Sequence, residues 1–435
     1  MASIPRDESL DSTLDVLREG FPFILNRKRR YQSDIFQIRL MGMKTICVHG
    51  QEAASLFYDN ELFMRTGAIP RRIQTTLMGV NGIQTLDDGK HQRRKELFMS
   101  VMTPDSLHKL MEYMAADWRY SIKQWTMQEQ VELFPEVQEV LCRAACTWTG
   151  VPLAEEDVAP RTRDFRRMVD AFGGVGPRHW RGKRARSRTE KWIEGIIKAI
   201  RKNKLQVPEE SAAYRMAWHR DQDGKLMSLR MAAVELINII RPITAIGWYI
   251  TFAALALHEY PETRARLRAG DEEYLGWFVH EVRRYYPFAP FLGNRVKTEF
   301  DWRGYHFPKG RLVLLDIFGT NRDPRQWHRP EEFRPERFRA WDGSAYNFIP
   351  QGGGDFMTGH RCAGEWLTIE TLKLAVTYLT QGMSYDVVPD QDLRYPLDRM
   401  PTLPRSGFII ENVRPKSVMG VSPRALGCPF HRQAV

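Results

Sequence analysis

Residues 231–257 form the longest apolar stretch of the sequence, and this stretch limits most strongly what the chain can fold into. A helix that crosses a membrane needs about 20 uninterrupted apolar residues. Four residues interrupt the stretch, namely Glu235, Asn238, Arg241 and Pro242. The pattern therefore predicts a long helix that is buried in the core of a large folded protein and not in a bilayer.

Arg241 lies in the middle of this predicted helix, where a lone guanidinium is costly to bury unless it is paired. Its partner is either an internal acid, with Glu235 as the candidate, or an anionic ligand. Pro242 removes one backbone donor, and we expect it to bend the helix beside Arg241. Ala245 follows Arg241 by one turn on the same face and is small enough to leave that face open.

Size and composition restrict the class of protein. The chain has 435 residues, and its 43% of hydrophobic residues can bury a large core. The five cysteines are scattered without disulfide or zinc spacing, which fits a reducing, cytoplasmic compartment. The polar N-terminus lacks a signal peptide and a membrane anchor. Because no nucleic-acid-binding module accompanies the net charge of +11, we expect an anionic substrate and no nucleic acid.

Apolar periodicity predicts a mainly α fold with a minor β part near each end. Helices are predicted within 10–31 and over 51–58, 107–122, 135–150, 157–172, 191–202, 231–257, 274–286 and 365–373. A hairpin is predicted over 34–50, short strands over 295–317 and 383–412, and loops over 63–84, 173–177 and 207–226. We expect one domain over residues 1–412 and a polar, disordered tail over 413–435.

A glycine-rich cysteine loop, residues 351–364, is the second informative feature. In it Cys362 stands between glycines and directly follows His360 and Arg361. Glycines permit positive φ and close approach to another body, and neighbouring positive charge favours a thiolate over a thiol. A thiolate in such a loop, just before a predicted helix, is suited to binding a large flat metal cofactor such as haem. A buried structural cysteine is the alternative.

Three features in sequence order carry a resemblance to a known family. Glu281 and Arg284 are spaced i,i+3 on a predicted helix, a further arginine follows within residues 333–338, and the cysteine loop comes next. The chain thereby resembles the cytochrome P-450 family over residues 10–412. The resemblance implies a helical prism with small β-sheets around haem b, with Cys362 as the axial thiolate. It also implies that Glu281 and Arg284 have a structural role, locking the cysteine region in place.

Two departures from the usual family pattern narrow the resemblance. An arginine directly precedes Cys362 in a longer, glycine-rich loop, and Arg241-Pro242 stands where ordinary members carry an acid–alcohol pair that delivers protons. This set resembles the bacterial fatty-acid peroxygenases and their alkene-forming, decarboxylating relatives. The stretches that match this branch are 238–245, 282–288, 351–354 and 359–362.

The resemblance implies an activity and a role for Arg241. The expected reaction is hydroxylation of long-chain fatty acids at the α or β carbon by hydrogen peroxide, without a redox partner, in the bacterial cytoplasm. Arg241 would bind the substrate carboxylate, which then acts as the general acid–base in place of the missing pair. Three alternatives remain open: a decarboxylase that forms terminal alkenes, a reductase-dependent monooxygenase, and a non-catalytic haem-thiolate sensor or carrier.

The resemblance also suggests further site residues. It places Gln84 at the end of the loop 63–84, the pocket loop, at a position where alkene-forming relatives often have histidine. Glutamine cannot donate a proton as imidazolium does. Hydroxy acid is therefore the expected main product. The candidate pocket walls are Met78, Ala245, Phe288 and Phe291, for which ordinary core packing is the alternative. The candidate ligands of the haem propionates are Arg65, His91, Lys95 and Arg361. For the basic cluster that contains His91 and Lys95, a solvated face is the alternative.

Overall fold

The computed structural model describes residues 4–416, so most of the predicted C-terminal tail lies outside the described residues. The helices are α1 (Thr13–Glu19), α2 (Phe23–Tyr31), α3 (Gln51–Phe57), α4 (Arg71–Ile73), α5 (Asp88–Val101), α6 (Pro104–Trp125), α7 (Leu133–Thr149), α8 (Glu155–Asp170), α9 (Pro177–Arg201), α10 (Ala212–Trp218), α11 (Leu229–Glu259), α12 (Pro261–Arg268), α13 (Glu272–Tyr285), α14 (Ile317–Thr320) and α15 (Glu365–Thr377). Single 3-10 or π-helical turns occur at Gln74–Met78, Ile83–Thr85, Pro335–Ala340 and Tyr378–Gly382.

Short strands form three small sheets. The strands are β1 (Ile35–Leu40), β2 (Met43–Val48), β3 (Phe63–Met64), β4 (Gln130–Glu132), β5 (Phe291–Val296), β6 (Phe300–Trp302), β7 (Tyr305–Phe307), β8 (Leu312–Asp316), β9 (Met383–Val387) and β10 (Ile409–Pro415). The sheets have the strand orders β1-β2-β8-β5-β3, β4-β10-β9 and β6-β7. Among these described strands, β2 and β8 pair in parallel and the other pairs are antiparallel. With 52% helix, the mainly α fold class predicted from the sequence is confirmed.

α11 is the central helix of the fold. Its N-terminus is capped by the Ser228 hydroxyl, which accepts a hydrogen bond from the Met231 N–H at 3.1 Å. Its residues from Ala232 to Leu257 are buried apart from Pro242, and it packs against α7, α9 and α15. By length and composition α11 is the one described helix that could cross a membrane, but 94% of its apolar window is buried inside the protein. This is the core helix that the interrupted apolar pattern predicts.

Four segments differ from the sequence expectations. The predicted loop 63–84 contains β3 and the single-turn helix α4. α9 begins at Pro177 and includes the basic run that follows, because small residues such as Gly182 and Ala185 supply its buried face. The predicted loop 207–226 contains α10, which is capped by the Ser211 hydroxyl. The predicted helix within 10–31 is two helices, separated at Gly20, whose φ of 65° ends α1.

Candidate active site

Cys362 lies just before α15 and is the one cysteine within residues 4–416 that is not fully buried. Its backbone N–H donates to the Gln351 carbonyl at 3.2 Å, and its sulfur lies 3.8 Å from the Gln351 side-chain amide. A Cβ built on Gly364 would have the Cys362 sulfur at 3.9 Å and no other described neighbour within 4 Å. The position of a Gly364 side chain is therefore open space next to the Cys362 sulfur.

The other glycines of the cysteine loop allow close packing against the protein itself. Gly352 and Gly354 have φ of 91° and 81°, values that favour glycine. A Cβ on Gly352 would lie 3.0 Å from the Tyr58 hydroxyl, and one on Gly353 would lie 2.5 Å from the Ala345 carbonyl oxygen. The close approach expected from the sequence thus positions the loop against the end of α3.

Glu281 and Arg284 form a buried ion pair on α13. Arg284 Nε and Nη2 donate to the two carboxylate oxygens of Glu281 at 2.7 and 2.8 Å. Arg337 donates to the same carboxylate at 3.1 Å, so it is the further arginine of the sequence pattern. Arg284 also donates to the carbonyls of Asn321 and Pro330 at 3.0 and 2.9 Å. One buried carboxylate thereby fixes the irregular chain segment that leads to the cysteine loop.

The positive charge next to Cys362 comes from Lys95. The Lys95 ammonium donates to the Arg361 carbonyl at 2.6 Å, while the Arg361 guanidinium bonds Glu365 at 2.6 Å. Burial lowers the pKa of Lys95 to about 8 and lowers the pKa of His360 far below its usual value. Burial raises the pKa of the Cys362 thiol, and Lys95 opposes that rise. The expectation that His360 contributes positive charge is wrong, because the buried imidazole is neutral at pH 7.

Three of the four candidate propionate ligands lie together beside the cysteine loop. The His91 ring stacks on the His360 ring with centroids 3.8 Å apart, and burial lowers the pKa of His91 to about 4, with Lys95 and Arg65 adding to the effect. Arg65 donates to the Gly293 carbonyl at 3.0 Å, and its buried Nε has no hydrogen-bond partner among the described residues. A cysteine that is not fully buried, a buried arginine donor without a partner and a glycine beside open space fit a flat metal cofactor that carries carboxylates.

Arg241 is a buried charged side chain of α11. It is 8% exposed, and its Nε is buried with no hydrogen-bond partner in the described chain. Burial and, to a smaller extent, the Arg186 charge lower the pKa of Arg241 to about 9, with Cys362 opposing the shift. The guanidinium is therefore still charged at pH 7 and lies within electrostatic range of the cysteine loop. Such a donor is suited to an anionic ligand.

Glu235 is not the partner of Arg241. Its carboxylate accepts hydrogen bonds from the Arg94 guanidinium at 2.5 Å, the Ile83 N–H at 2.9 Å and the Asn238 amide at 3.0 Å. The internal Glu235–Arg241 salt bridge that the sequence left open is thus excluded in this structure. The carboxylate instead links the loop before α5 to α11.

The candidate pocket residues divide between two places. Ala245 packs in a cluster with Phe134 and Trp248, and Phe288 lies at the edge of that cluster. Phe291 packs instead in the cluster of the N-terminal part of the fold. Met78 ends the π-helical turn before Gly79, and Gln84 accepts a 3.5 Å hydrogen bond from Asn238, one turn before Arg241. Pro242 lies inside α11, which continues unbroken to Glu259.

Two residues of the site, Arg186 and Asn238, were not identified as site residues from the sequence. Arg186 donates to the Leu77 carbonyl at 3.0 Å and to Glu190 at 2.6 Å, so α9 supports the pocket loop. Nothing in the sequence separates Arg186 from the other basic residues of its run except its i,i+4 spacing to Glu190. Asn238 could have been found, because it lies one turn before Arg241 in an apolar helix.

Comparisons with known proteins agree with this fold. The family model described as cytochrome P-450 matches residues 270–411. The structure of cytochrome P-450EX alpha (CYP152N1) with myristic acid is 43% identical, with a TM-score of 0.92 over 96% of this chain and 100% of that chain. A variant of cytochrome P-450SP alpha (CYP152B1) is 44% identical, with a TM-score of 0.91 over 94% and 100%. A variant of cytochrome P-450 OleT in complex with arachidonic acid is 38% identical, with a TM-score of 0.93 over 97% and 100%.

The fold and site together define a haem-thiolate oxidoreductase, with Cys362 as the cysteine that ligates the iron. The chain belongs to the cytochrome P-450 family, in the CYP152 peroxygenase branch represented by these solved structures. The family and branch predicted from the Glu281, Arg284, Arg241 and Cys362 patterns are confirmed.

Proposed function

We propose that this protein is a hydrogen-peroxide-dependent peroxygenase that hydroxylates long-chain fatty acids at the α or β carbon. The observation that carries the proposal is the buried Arg241 guanidinium, whose Nε has no acceptor within residues 4–416. A fatty-acid carboxylate has the charge and the paired oxygens to accept from such a group. Two structurally similar proteins were solved with myristic acid and with arachidonic acid.

Arg241 fixes one end of the substrate in this proposal. A carboxylate bound there restricts the positions of Cα and Cβ more than those of the distant chain carbons, so oxidation is expected at these two positions. Apolar side chains around Ala245, among them Phe134 and Phe288, offer a surface for the alkyl chain. The Arg186 charge near Arg241 further favours an anion at this place.

The bound carboxylate also carries protons, in place of the acid–alcohol pair that α11 lacks. The Thr244 hydroxyl follows Arg241 closely but donates to the Arg241 carbonyl at 2.7 Å, so it is engaged within the helix. A carboxylate next to the reacting peroxide can take a proton from one oxygen and return it to the other. Haem bound through Cys362 supplies cleavage of the peroxide O–O bond and oxidation of a C–H bond. The sum is R–H plus H₂O₂ giving R–OH plus water, without a reductase.

Decarboxylation to a terminal alkene is the second outcome that the same anchor allows. Gln84 supports hydroxylation as the main outcome, because its neutral amide lies beside Asn238 and cannot supply an imidazolium proton. We also propose a cytoplasmic location, because the four described cysteines are free thiols.

Product analysis tests the proposal. The purified haem-loaded protein is incubated with myristic acid and hydrogen peroxide, and the products are identified by mass spectrometry. We expect 2- or 3-hydroxymyristic acid as the main product and a terminal alkene one carbon shorter as a minor one. Turnover with NADPH and redox partners, together with none from peroxide, would show that the protein is a reductase-dependent monooxygenase. Binding of myristic acid without any product would indicate a carrier.

A further inference from the structure

Gln351 contacts Cys362 through both its backbone and its side chain. Its carbonyl accepts from the Cys362 N–H at 3.2 Å, and its side-chain Nε2 lies 3.8 Å from the Cys362 sulfur. The same Nε2 lies 3.0 Å from the Thr368 hydroxyl oxygen on α15. The two hydrogens of one amide nitrogen are thus directed at two acceptors, and one of these is the sulfur that ligates iron.

The hydrogen-bonding partners of the Gln351 side-chain amide determine on which side its oxygen and its nitrogen lie. Arg283 Nε donates to Gln351 Oε1 at 3.2 Å, and a guanidinium can only donate, so the oxygen of the amide must face it. The Thr368 hydroxyl donates to the Gly364 carbonyl at 2.9 Å, which leaves its oxygen free to accept from Gln351. Arg283 and Thr368 therefore both require the amide nitrogen to lie on the side of Cys362.

Arg283 is itself held firmly. It is 1% exposed and donates to the buried Glu365 carboxylate at 2.5 Å, so α13 and α15 clamp it between them. The buried Arg283 cation thus orients the neutral Gln351 amide. The amide contacts the Cys362 sulfur, and the cation does not. Hydrogen bonds to a metal-bound thiolate withdraw electron density from it and tune the metal.

We propose that Gln351 is a positioning residue that donates a hydrogen bond to the Cys362 thiolate and thereby limits electron donation from sulfur to the haem iron. Arg283 fixes the direction of this donor. The proposal concerns the iron ligand alone and does not depend on which substrate the enzyme oxidises.

The test replaces the donor and measures the iron–sulfur bond. In the haem-loaded Gln351→Leu variant, the Fe–S stretching frequency in resonance Raman spectra should rise and the Fe(III)/Fe(II) midpoint potential should shift to a more negative value. Thr368→Val is the matched control: it removes the other acceptor of the same amide and should leave the Fe–S frequency unchanged or slightly lower.

Gln351→Glu provides a second variant in case the apolar side chain prevents haem loading. It keeps the bond from Arg283 and the shape of the side chain, but an ionised carboxylate cannot donate to sulfur, so the same two shifts are expected. Wild-type Fe–S frequency and potential in either haem-loaded variant would overturn the proposal. Equal shifts in Thr368→Val and Gln351→Leu would also overturn it, since they would indicate a general loosening of the loop.

Discussion

Glu235 and Arg241 lie on the same buried helix but bind different partners. Glu235 accepts hydrogen bonds from Ile83, Arg94 and Asn238, whereas Arg241 Nε has no acceptor among the residues described. Because other donors surround the Glu235 carboxylate, it does not compete with a ligand for Arg241. The buried charges of α11 are therefore arranged so that one guanidinium remains available for an anion.

The pocket loop depends on a glycine at position 79. A Cβ there would lie 2.4 Å from Arg186 Nη2 and 2.5 Å from Val234 Cγ1, at a φ of +78°. Gly79→Ala should lower the free energy of unfolding by about 1–3 kcal/mol, from backbone strain and displaced neighbours. It should also weaken myristic acid binding, because Met78 and the Leu77 carbonyl move with the loop. Denaturant unfolding and calorimetric titration measure both effects.

Gly310→Ala is the matched control for this variant. Gly310 has the same φ of +78°, but a Cβ there has no described atom within 4 Å. It should show the strain penalty without any change in fatty-acid affinity. Equal affinity in both variants would show that the contact of Gly79 with Arg186 and Val234 does not shape the pocket.

Glu281 should be essential for haem retention. Its carboxylate accepts from both Arg284 and Arg337, and its removal leaves two guanidinium groups without their acid. Glu281→Ala should cost about 3–5 kcal/mol of unfolding free energy, the usual loss for one member of a buried ion pair. Haem content, measured by absorbance after purification, should fall as well. Glu336→Ala removes an exposed acid from the turn Pro335–Ala340, which also carries Arg337, and should leave both values unchanged. A stable, haem-loaded Glu281→Ala protein would contradict this role.

The sequence predicts the parts of the site that lie within one local pattern. The interrupted apolar helix with Arg241, the Glu281–Arg284 spacing and the glycine-rich loop around Cys362 each show in a short stretch. The sequence does not predict which charged side chains from distant parts of the chain form ion pairs with each other. The bond between Glu235 and Arg94 joins residues far apart in the chain, so spacing alone cannot indicate it. Likewise the helical periodicity of α9 is masked at its N-terminal half, where arginine and lysine outnumber apolar residues.

Stability should depend on pH through His49. Its Nδ1 lies 2.9 Å from Asp316, and its Nε2 lies 3.4 Å from Asp323. Burial opposes the charged form, but the interactions with the Asp316 and Asp323 carboxylates outweigh it and raise the pKa of His49 above its usual value. A raised pKa stabilises the folded state fully below the unfolded value of about 6.5, and this contribution is lost as pH rises through the folded value.

The pH effect is measured by comparing variants. Between pH 6 and pH 9, wild-type protein should lose more unfolding free energy than His49→Gln, which has no proton to release in this range. His306→Gln, at an exposed histidine that contacts Asp301, should behave as wild type. Parallel curves for wild type and His49→Gln would rule out this titration.

The most direct measurement of the central claim is peroxide-driven turnover of myristic acid in Arg241→Ala. One charge-assisted hydrogen bond is worth about 1.5–3 kcal/mol, so kcat/KM should fall by at least about 10- to 150-fold while haem binding and the thiolate-type spectrum of the carbon monoxide complex remain. Arg230→Ala removes an exposed arginine from the same helix and should retain wild-type turnover. Unchanged turnover in Arg241→Ala would contradict the account, because the carboxylate would then be held and used without Arg241.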